Sequence, residues 1–445
     1  MASVCLYFQV HQPYRLRRYS VFDTDSNYFD DHINARLLKR IVTKCYLPTT
    51  ELLLKLVRKH GGRFRLAYSL TGVIAEQLQR YYPQMIELLQ QLAATGCVEF
   101  LAETYHHSLA FLYSRDEFKA QVDLHARLMQ ELFGQTPTVF RNTELIYSNE
   151  LADYLRGWGK YKAILAEGAD QILAGRLPDQ VYHVPGDRSM KLLLKHYRLS
   201  DDIAFRFSNV NWPGYPLTAA KFAHWVWQAT HVDRPSLEAM VAVAAGRASG
   251  AGGSIDASPG PAGREPVSID ARTSRLCNLF LDYETFGEHQ WPETGIFDFL
   301  EKLPDRILGE DDIEFKTPSQ CADAGDAADE YDVPHMISWA DTERDLSAWL
   351  GHAMQSNALH ELYKLEEPIK RSGDEQLLTD WRRLTASDHF YYMCTKYFAD
   401  GDVHTYFNPY ESPYDSYINF MNVLDHLRSR AEEHGGDRPS DGASP

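Results

Sequence analysis

Short apolar runs alternate with amphipathic segments from Val4 to Leu281, and this alternation limits the folds open to the chain more than any other feature. The apolar runs predict strands at Val4–Val10, Arg63–Ser69, Val98–Ala102, Thr138–Arg141, Ala163–Ala166, Gln180–Val184, Lys191–His196 and Leu276–Leu281. The segments between them predict helices at Pro48–His60, Pro83–Ala94, Arg115–Phe133 and Asn149–Gly157. Strands separated by helices form parallel sheets with right-handed crossovers, so the pattern predicts a barrel or a doubly wound sheet.

A barrel is the favoured of these two folds. A dinucleotide-binding doubly wound sheet carries a Gly-rich phosphate-binding turn after its first strand, whereas this chain continues into His11, Gln12 and Pro13. We therefore assign residues 1–340 to an α/β barrel. Residues 245–273 are rich in Gly, Ala, Ser and Pro and nearly free of large apolar side chains, which predicts a flexible insertion within it.

The sequence changes character after the predicted barrel. Apolar residues there follow a helical spacing, as at Leu346, Trp349 and Ala353. Residues 341–432 therefore predict a C-terminal helical domain. The polar residues 433–445 predict a disordered tail.

The charge of the chain argues against two classes of partner. With 45 basic and 62 acidic residues, the formal net charge is −17, which disfavours nucleic acid and anionic membranes as main partners. No apolar run approaches the length of a membrane span, and no basic segment precedes the first apolar run as in a signal peptide. We therefore expect a cytoplasmic protein. The six scattered cysteines predict no disulfide framework.

Polar side chains follow several predicted strands at the point where each strand ends. In parallel barrels the carboxyl ends of the strands carry the active site. We therefore expect these side chains to share one rim although they lie far apart in the sequence. They are His11, Glu103, His106, Glu144 and Asp282.

Single acids after a strand also have simpler interpretations. Asp282 could cap a helix that follows it, and Glu144 could pair with Arg141. The convergence of Glu144, Asp282 and Glu284 on one predicted rim, with histidines and aromatic residues alongside, favours a functional site.

Two carboxyl groups on one rim suit the cleavage of glycosidic bonds. One attacks the anomeric carbon or activates water, and the other protonates the leaving oxygen, for which its pKa must be raised. The flat faces of Trp291, Trp339 and Trp349 suit stacking against pyranose rings, and His and Gln side chains can bind sugar hydroxyls.

A metal site is the weaker interpretation of the same rim. Residues of ligand type are present at His11, Glu103, Asp282 and His289. The motifs nevertheless contain no pair of histidines four residues apart, which is the spacing that places two ligands on one helical face. We expect neither a metal nor a cofactor.

Five motifs, taken in order, resemble those of glycoside hydrolase family 57, in particular its α-amylase-type members. The motifs are FQVHQP ending at Pro13, CVEFLAETYHHSLAFL at Cys97–Leu112, FRNTELIY at Phe140–Tyr147, LFLDYETFGEHQW at Leu279–Trp291 and SWADTERDLSAWLGHAMQ at Ser338–Gln355. Each motif alone is weak, but all five in this order are specific and span most of the chain.

The resemblance implies an incomplete (β/α)7 TIM-like barrel followed by a C-terminal α-helical bundle. It also implies a retaining, metal-independent mechanism with Glu144 as nucleophile and Asp282 as general acid/base. His11 and Glu284 resemble typical active-site contacts of the family, and either His106 or His107 can occupy the polar position of the second motif.

The activity that the resemblance favours is hydrolysis of α-1,4-glucosidic bonds in glycogen- or starch-like α-glucans or malto-oligosaccharides. The alternatives are a 4-α-glucanotransferase or branching enzyme of the same family, and a non-catalytic α-glucan-binding protein. The oligomeric state is left open. The substrate contacts that we predict are His11, Gln12, Glu103, His106, His107, Glu284, Phe286, His289, Trp291, Trp339, Asp345 and Trp349.

Overall fold

The computed structural model describes residues 1–231, 275–396 and 407–436. The predicted insertion at 245–273 lies outside the described residues, as do residues 437–445 of the predicted tail. All six cysteines are buried, and none of them is part of a disulfide bond. Within the described ranges, no helix is long and apolar enough to cross a membrane.

All eight predicted strands are present, with ends that differ from the prediction by a few residues. The strands are β1 Ala2–Val10, β2 Leu66–Leu70, β3 Val98–Phe100, β4 Val139–Arg141, β5 Ala163–Glu167, β6 Val181–Val184, β7 Asp187–Lys195, β8 Leu276–Asp282 and β9 Ile313–Phe315. The short strand β9 was not predicted, because its three residues are too few to form an alternating pattern.

The strands form two sheets that are largely parallel. The first has the order β3-β2-β1-β8, with β9 also paired to β1, and the second has the order β4-β5-β7-β6. The expectation of purely parallel pairing is wrong at one place, because β6 and β7 form an antiparallel pair. In the parallel pair of β1 with β8, Gln9 lies opposite Asp282. The carboxyl ends of β1 and β8 therefore meet at the same edge.

Backbone hydrogen bonds link the two sheets on both sides. Between β3 and β4, the amide of Ala102 donates to the carbonyl of Val139 at 2.9 Å. Between β7 and β8, the amide of His196 donates to the carbonyl of Asn278 at 2.9 Å, and the Asn278 side chain donates to the carbonyl of Leu194 at 2.8 Å. Each sheet is thus continued by the other at these two places.

Apolar side chains from both sheets also share one buried cluster. It contains, among others, Tyr7 of β1, Ala67 of β2, Val139 of β4, Leu165 of β5, Leu193 of β7 and Phe280 of β8. A second and larger cluster lies between the first sheet and its helices. The sheets therefore enclose a packed interior and carry helices on the outside.

Helices occupy most connections between the strands. They lie at Asp31–Ile41, Leu47–His60, Gly72–Tyr81, Pro83–Ala94, Ala110–Tyr113, Arg115–Phe133, Asn149–Arg156, Asp170–Leu173, Tyr197–Ala204, Ala219–His231, Ile296–Ile307 and Pro318–Asp323. A π-helical segment, Val42–Tyr46, joins the first two, and 3-10 turns lie at Thr143–Leu145, Tyr283–Thr285 and Pro292–Thr294. The four predicted helices are confirmed to within one residue at each end.

Past β9, the described residues form helices and loops. The helices after residue 340 lie at Ser347–Leu350, Ala353–Lys364, Glu366–Ser372, Glu375–Leu384, Ser387–Tyr391 and Pro413–Gly436. Their apolar faces form one buried cluster around Trp349 and Trp381, which also takes in Tyr14 and Phe29 from the segment after β1. The last helix ends at Gly436, four residues past the predicted end of the helical domain at 432.

Candidate active site

One cleft of about 610 Å³ lies at the carboxyl ends of the strands. Its walls come from both sheets, from the loop that begins at Trp339 and from the helix Ser387–Tyr391. The predicted residues that line it are His11, Gln12, His107, Glu144, Asp282, Glu284, His289 and Trp339. Residues from all five motifs or their immediate surroundings therefore meet in one place.

Glu144 lies in the 3-10 turn that begins two residues after the last residue of β4. Its φ of 55° is in the left-handed region, which is uncommon for a residue with a side chain and is typical of functional positions. Three side chains contact its carboxylate. The Nε2 of His107 lies 3.0 Å from Oε1, the indole Nε1 of Trp339 donates to Oε2 at 2.6 Å, and the hydroxyl of Ser387 donates to Oε1 at 3.5 Å. The carboxylate is thus fixed in orientation on both oxygens.

The surroundings of Glu144 favour its ionised form. Burial alone would raise its pKa, but the hydrogen bond and charge of His107, the charge of Arg141 and the Trp339 hydrogen bond together lower it. The pKa of His107 shifts in the opposite direction: burial lowers it, but the nearby carboxylates of Glu103 and Glu144 outweigh burial and raise it to about 9. The surroundings of His107 therefore favour its cationic form beside the Glu144 carboxylate at neutral pH.

Asp282 lies at the end of β8 and faces the same cleft. It precedes the turn Tyr283–Thr285, but its side chain makes no capping hydrogen bond there, so the helix-cap interpretation does not hold. Burial raises the pKa of Asp282 to about 6, and the negative charge of Glu144 adds to this effect. The carboxyl groups of Glu144 and Asp282 are thus close enough to interact, and their pKa values are shifted in opposite directions.

Glu284 also reaches the cleft, where only 4% of it is exposed. Its Oε1 accepts a hydrogen bond from the Nε2 of Gln12 at 3.1 Å and another from the hydroxyl of Tyr46. Burial and the charge of Asp282 raise the pKa of Glu284 to about 7. Gln12 and Glu284 are therefore coupled polar groups on the wall next to Asp282.

His11 is held on both ring nitrogens. Its Nδ1 lies 2.9 Å from the hydroxyl of Thr71, and its Nε2 lies 2.8 Å from the carboxylate of Asp388. The ring stacks on that of His107 with a centroid distance of 4.1 Å. Burial and the charge of His107 lower the pKa of His11 in spite of the opposing effect of Asp388, which favours the neutral form of the His11 ring.

The structure separates the two neighbouring histidines that the sequence left as alternatives. His107 faces the cleft, whereas His106 is buried away from it against Tyr105, with ring centroids 4.8 Å apart. Glu103 is fully buried beneath the cleft, where its Oε2 lies 3.5 Å from the Nδ1 of His107 and 3.8 Å from Arg141. Arg141 thus lies beside Glu103. His106 and Glu103 do not line the cleft.

Four further predicted contacts also lie away from the cleft. Phe286 is buried in the core against Phe8, with ring centroids 5.7 Å apart. Trp349 is 1% exposed within the core of the C-terminal helices, because its position on a helical face turns it inward. Trp291 is 59% exposed outside the cleft, and the Asp345 carboxylate accepts a hydrogen bond from the amide of the nearby Ser347. Phe286 and Trp349 are thus too deeply buried for the predicted contact with substrate, whereas for Trp291 and Asp345 this contact stays a prediction.

Several cleft residues were not predicted. Lys195 ends β7, and its Nζ lies 5.2 Å from the ring centroid of Trp339 and 3.3 Å from Asp201. Arg344 forms an ion pair with the buried Glu167 at 2.9 Å. The strand-end rule would have found Lys195, whereas the sequence around Arg344 and Asp388 carries no comparable signal.

Among the described residues, no group of three or more His, Cys, Asp or Glu side chains is arranged to hold a metal ion. The metal-independent reaction stays a prediction.

Comparisons with known proteins agree on one family. The model of glycosyl hydrolase family 57 matches residues 5–244 and 264–338. A curated relative from Methanocaldococcus jannaschii, named "Putative alpha-amylase", is 37% identical over 433 residues, which cover 94% of this chain and 82% of the relative.

Two solved structures show a similar fold. The GH57-type branching enzyme from Pyrococcus horikoshii superposes with a TM-score of 0.64 at 15% identity, covering 99% of this chain and 92% of that one. The 4-α-glucanotransferase from Thermococcus litoralis superposes with a TM-score of 0.54 at 15% identity, covering 97% of this chain. This chain spans 59% of the length of that glucanotransferase.

Proposed function

The chain belongs to glycosyl hydrolase family 57, and we propose that it hydrolyses α-1,4-glucosidic bonds in glycogen- or starch-like α-glucans and in malto-oligosaccharides. The reaction proceeds by double displacement with retention of configuration. Glu144 is the nucleophile and Asp282 is the general acid/base.

The observation that carries this proposal is the opposite pKa shift of two carboxyl groups in one cleft. The pKa of Glu144 is lowered, whereas burial and the charge of Glu144 raise the pKa of Asp282 to about 6. A pair of carboxyl groups whose surroundings separate their pKa values supplies an ionised nucleophile and a protonated acid at the same pH.

Each group then has a defined task in two steps. In the first step, a Glu144 oxygen forms a bond to the anomeric carbon while Asp282 transfers its proton to the departing glycosidic oxygen. In the second step, Asp282 takes a proton from water, whose oxygen displaces Glu144 from the anomeric carbon. The proton then returns Asp282 to its starting state, and the sugar keeps its original anomeric configuration.

We further propose that seven parallel strands close into an incomplete (β/α)7 barrel, in the order β1, β2, β3, β4, β5, β7 and β8. The hydrogen bonds from Ala102 to Val139 and from His196 to Asn278 support this closure, as does the buried cluster shared by both sheets. A boundary near residue 340, with a helical domain after it, completes the proposed domain organisation.

The stereochemistry of the product tests the mechanism. Maltoheptaose should yield α-configured reducing ends first, and these should then mutarotate, as monitored by proton NMR within the first minutes of reaction. Initial release of the β-anomer would mean inversion and would exclude a covalent intermediate on Glu144.

Analysis of all the products separates the alternative activities. Shorter malto-oligosaccharides alone mean hydrolysis. A ladder of sugars longer than the maltoheptaose substrate means a 4-α-glucanotransferase, and new branch linkages mean a branching enzyme. Binding of glycogen without turnover means a non-catalytic α-glucan-binding protein. Each of the last three outcomes would overturn the proposed hydrolase.

A further inference from the structure

Glu103 is a fully buried acid that the proposed reaction leaves without a role. It follows β3, which ends at Phe100, and none of its surface is exposed, so it cannot touch a substrate. Its carboxylate lies beneath the cleft, with Oε2 3.5 Å from the Nδ1 of His107 and 3.8 Å from the Nη1 of Arg141. Burial of an ionised carboxylate is costly unless cations lie beside it, as they do here.

His107 connects this buried acid to the cleft. One ring nitrogen faces Glu103, and the other lies 3.0 Å from Oε1 of Glu144. A neutral imidazole has one N–H group, so it can donate from only one of its two nitrogens, whereas an imidazolium donates from both. A ring placed between two carboxylates is therefore stabilised as the cation.

The backbone holds the ring in this place. His107 has a φ of 54°, a left-handed conformation that costs energy for a residue with a side chain. Its amide donates to the carbonyl of Thr104 at 3.2 Å, and its carbonyl accepts from the amide of Ser387 at 2.9 Å. The stack on His11 fixes the plane of the ring. A strained backbone conformation that several contacts maintain is typical of a functional position.

The geometry points to Glu103 as a positioning residue for the proposed reaction: it holds His107 as an imidazolium that donates to Glu144 and keeps the nucleophile ionised. This inference rests on the proposed function, because it takes Glu144 to be the nucleophile. It assigns Glu103 a role through His107 instead of the contact with substrate expected from the sequence.

Other titratable and charged groups face these three residues. They are Arg141 on β4, His125 on the helix Arg115–Phe133, His11 after β1, Asp282 at the end of β8 and Asp388 on the helix Ser387–Tyr391. Arg141 opposes the protonation of His107, whereas Glu103 and Glu144 favour it. Loss of the Glu103 charge therefore removes one of the two acids that touch the ring and leaves the opposing cation in place.

The consequence for Glu144 follows from the ring. When residue 103 is uncharged, His107 loses its proton more easily, and the nitrogen facing Glu144 can become a lone-pair acceptor. A carboxylate that loses a charged donor and its positive charge has a higher pKa. Glu144 then becomes protonated, and inactive as a nucleophile, at a higher pH than in the wild type.

The test is the substitution Glu103→Gln, which keeps the size of the side chain and removes its charge. We expect the acid limb of the kcat/KM profile on maltoheptaose to move up by about one pH unit or more, so activity on that limb falls about tenfold. KM should change little, because Glu103 is not in the cleft. A profile that superposes on the wild type would overturn the inference.

A second measurement keeps the test valid if this variant does not fold. In wild-type enzyme labelled with ¹⁵N-histidine, the His107 signals, assigned by their loss in His107→Asn, should show an imidazolium at pH 7.5. A neutral ring at that pH would contradict the inference. In Glu103→Gln the same ring should titrate at a lower pH, and Glu103→Asp should restore part of the wild-type value.

Glu99 offers a matched control, since it is a carboxylate on the preceding strand β3. Its Oε2 accepts from the amide of Ser319 at 2.9 Å, away from the cleft. Glu99→Gln should leave both the acid limb and the His107 titration unchanged, and an equal shift in this variant would overturn a specific role for Glu103. The titration of His107 does not depend on Glu144 being the nucleophile. An active Glu144→Gln enzyme would therefore refute the proposed function. The NMR result would still show whether Glu103 stabilises the imidazolium form of His107.

Discussion

The two sides of the cleft, one around Glu144 and the other around Asp282, shift the pKa of their carboxyl groups in opposite directions. Burial acts on Glu144 and Asp282 in the same direction, since it raises both pKa values. On the Glu144 side, donors in direct contact, His107 and Trp339, reverse the effect of burial. On the Asp282 side, Arg141, Lys195 and His107 oppose burial through their charges alone, and burial prevails. Burial is common to both residues, so the difference in sign between their pKa shifts comes from the hydrogen-bond donors that contact Glu144.

The two sides also depend on different parts of the chain. Asp282 ends β8, and the register of β8 against β1 sets its position. Glu144 depends in addition on the C-terminal part of the chain: the amide of Trp339 donates to its carbonyl at 3.1 Å, and Ser387 supports His107. The proposed nucleophile therefore depends on tertiary contacts with the C-terminal part of the chain.

The largest expected effect is the loss of activity when Glu144 is substituted. Glu144→Gln should lose roughly four or more orders of magnitude in kcat/KM, because an amide cannot form the glycosyl ester. Retention of more than about a tenth of wild-type activity would show that the nucleophile is another residue. In Glu144→Ala, azide should restore turnover of an activated α-glucoside by attacking the anomeric carbon directly, and the product should be the β-glucosyl azide.

The next largest expected effect is the loss of activity when Asp282 is substituted. Asp282→Asn should lose about 10²–10⁴-fold in activity on maltoheptaose, because the leaving oxygen is no longer protonated. The rate of the first step should fall much less with an aryl glycoside substrate, because its leaving group needs no proton. In Asp282→Ala, azide should attack the intermediate and give the α-glucosyl azide, the opposite anomer to that from the Glu144 variant. The same anomer from both variants would contradict the division of roles.

Much of this comparison could be predicted from the sequence, because strand ends carry a local signal. His11, Glu144 and Asp282 follow apolar runs, and parallel strands bring the ends of such runs together. The same rule fails for contacts made by loops and helices. Asp388 lies in a short helix and reaches His11 across 377 positions of sequence. Nothing in its neighbours distinguishes it from a solvated helical acid.

Tryptophan shows why part of the site could not be predicted. Trp339 and Trp349 lie in the same motif, and both suit sugar stacking or core packing by residue type. Trp349 lies on the buried face of a helix, whereas Trp339 precedes a loop and donates to Glu144. Only the tertiary arrangement separates the two roles. The choice between His106 and His107 required a structure for the same reason.

A smaller effect sharpens the Glu144 side by removing one donor. Trp339→Phe keeps a flat ring but loses the N–H group that contacts Oε2, and hydrogen bonds to charged groups contribute about 1.5–3 kcal/mol. The acid limb of kcat/KM should move up by about one pH unit, with a loss of about tenfold or more on that limb. Trp349→Phe is the matched control, since it alters a buried ring of the helical core. It should change the thermal stability and leave the acid limb in place.

The smallest effect concerns stability, where the two carboxyl groups should differ in sign. The lowered pKa of Glu144 means that its charge stabilises the fold above the pKa of the unfolded chain and that this stability is lost as the pH falls. Burial raises the pKa of Asp282 to about 6, so its ionised form costs stability at any pH above this value, on the order of 1–3 kcal/mol after solvent screening.

At pH 8, Asp282→Asn should therefore raise Tm by a few °C, whereas Glu144→Gln should lower it. The gain in Asp282→Asn should shrink as the pH falls through about 6, because the wild-type carboxyl group then becomes protonated and resembles the amide in charge. Calorimetry at pH 8 and pH 5 on both variants checks the two signs. Shifts of the same sign for both variants at pH 8 would mean that donors in contact do not separate the two sides of the cleft.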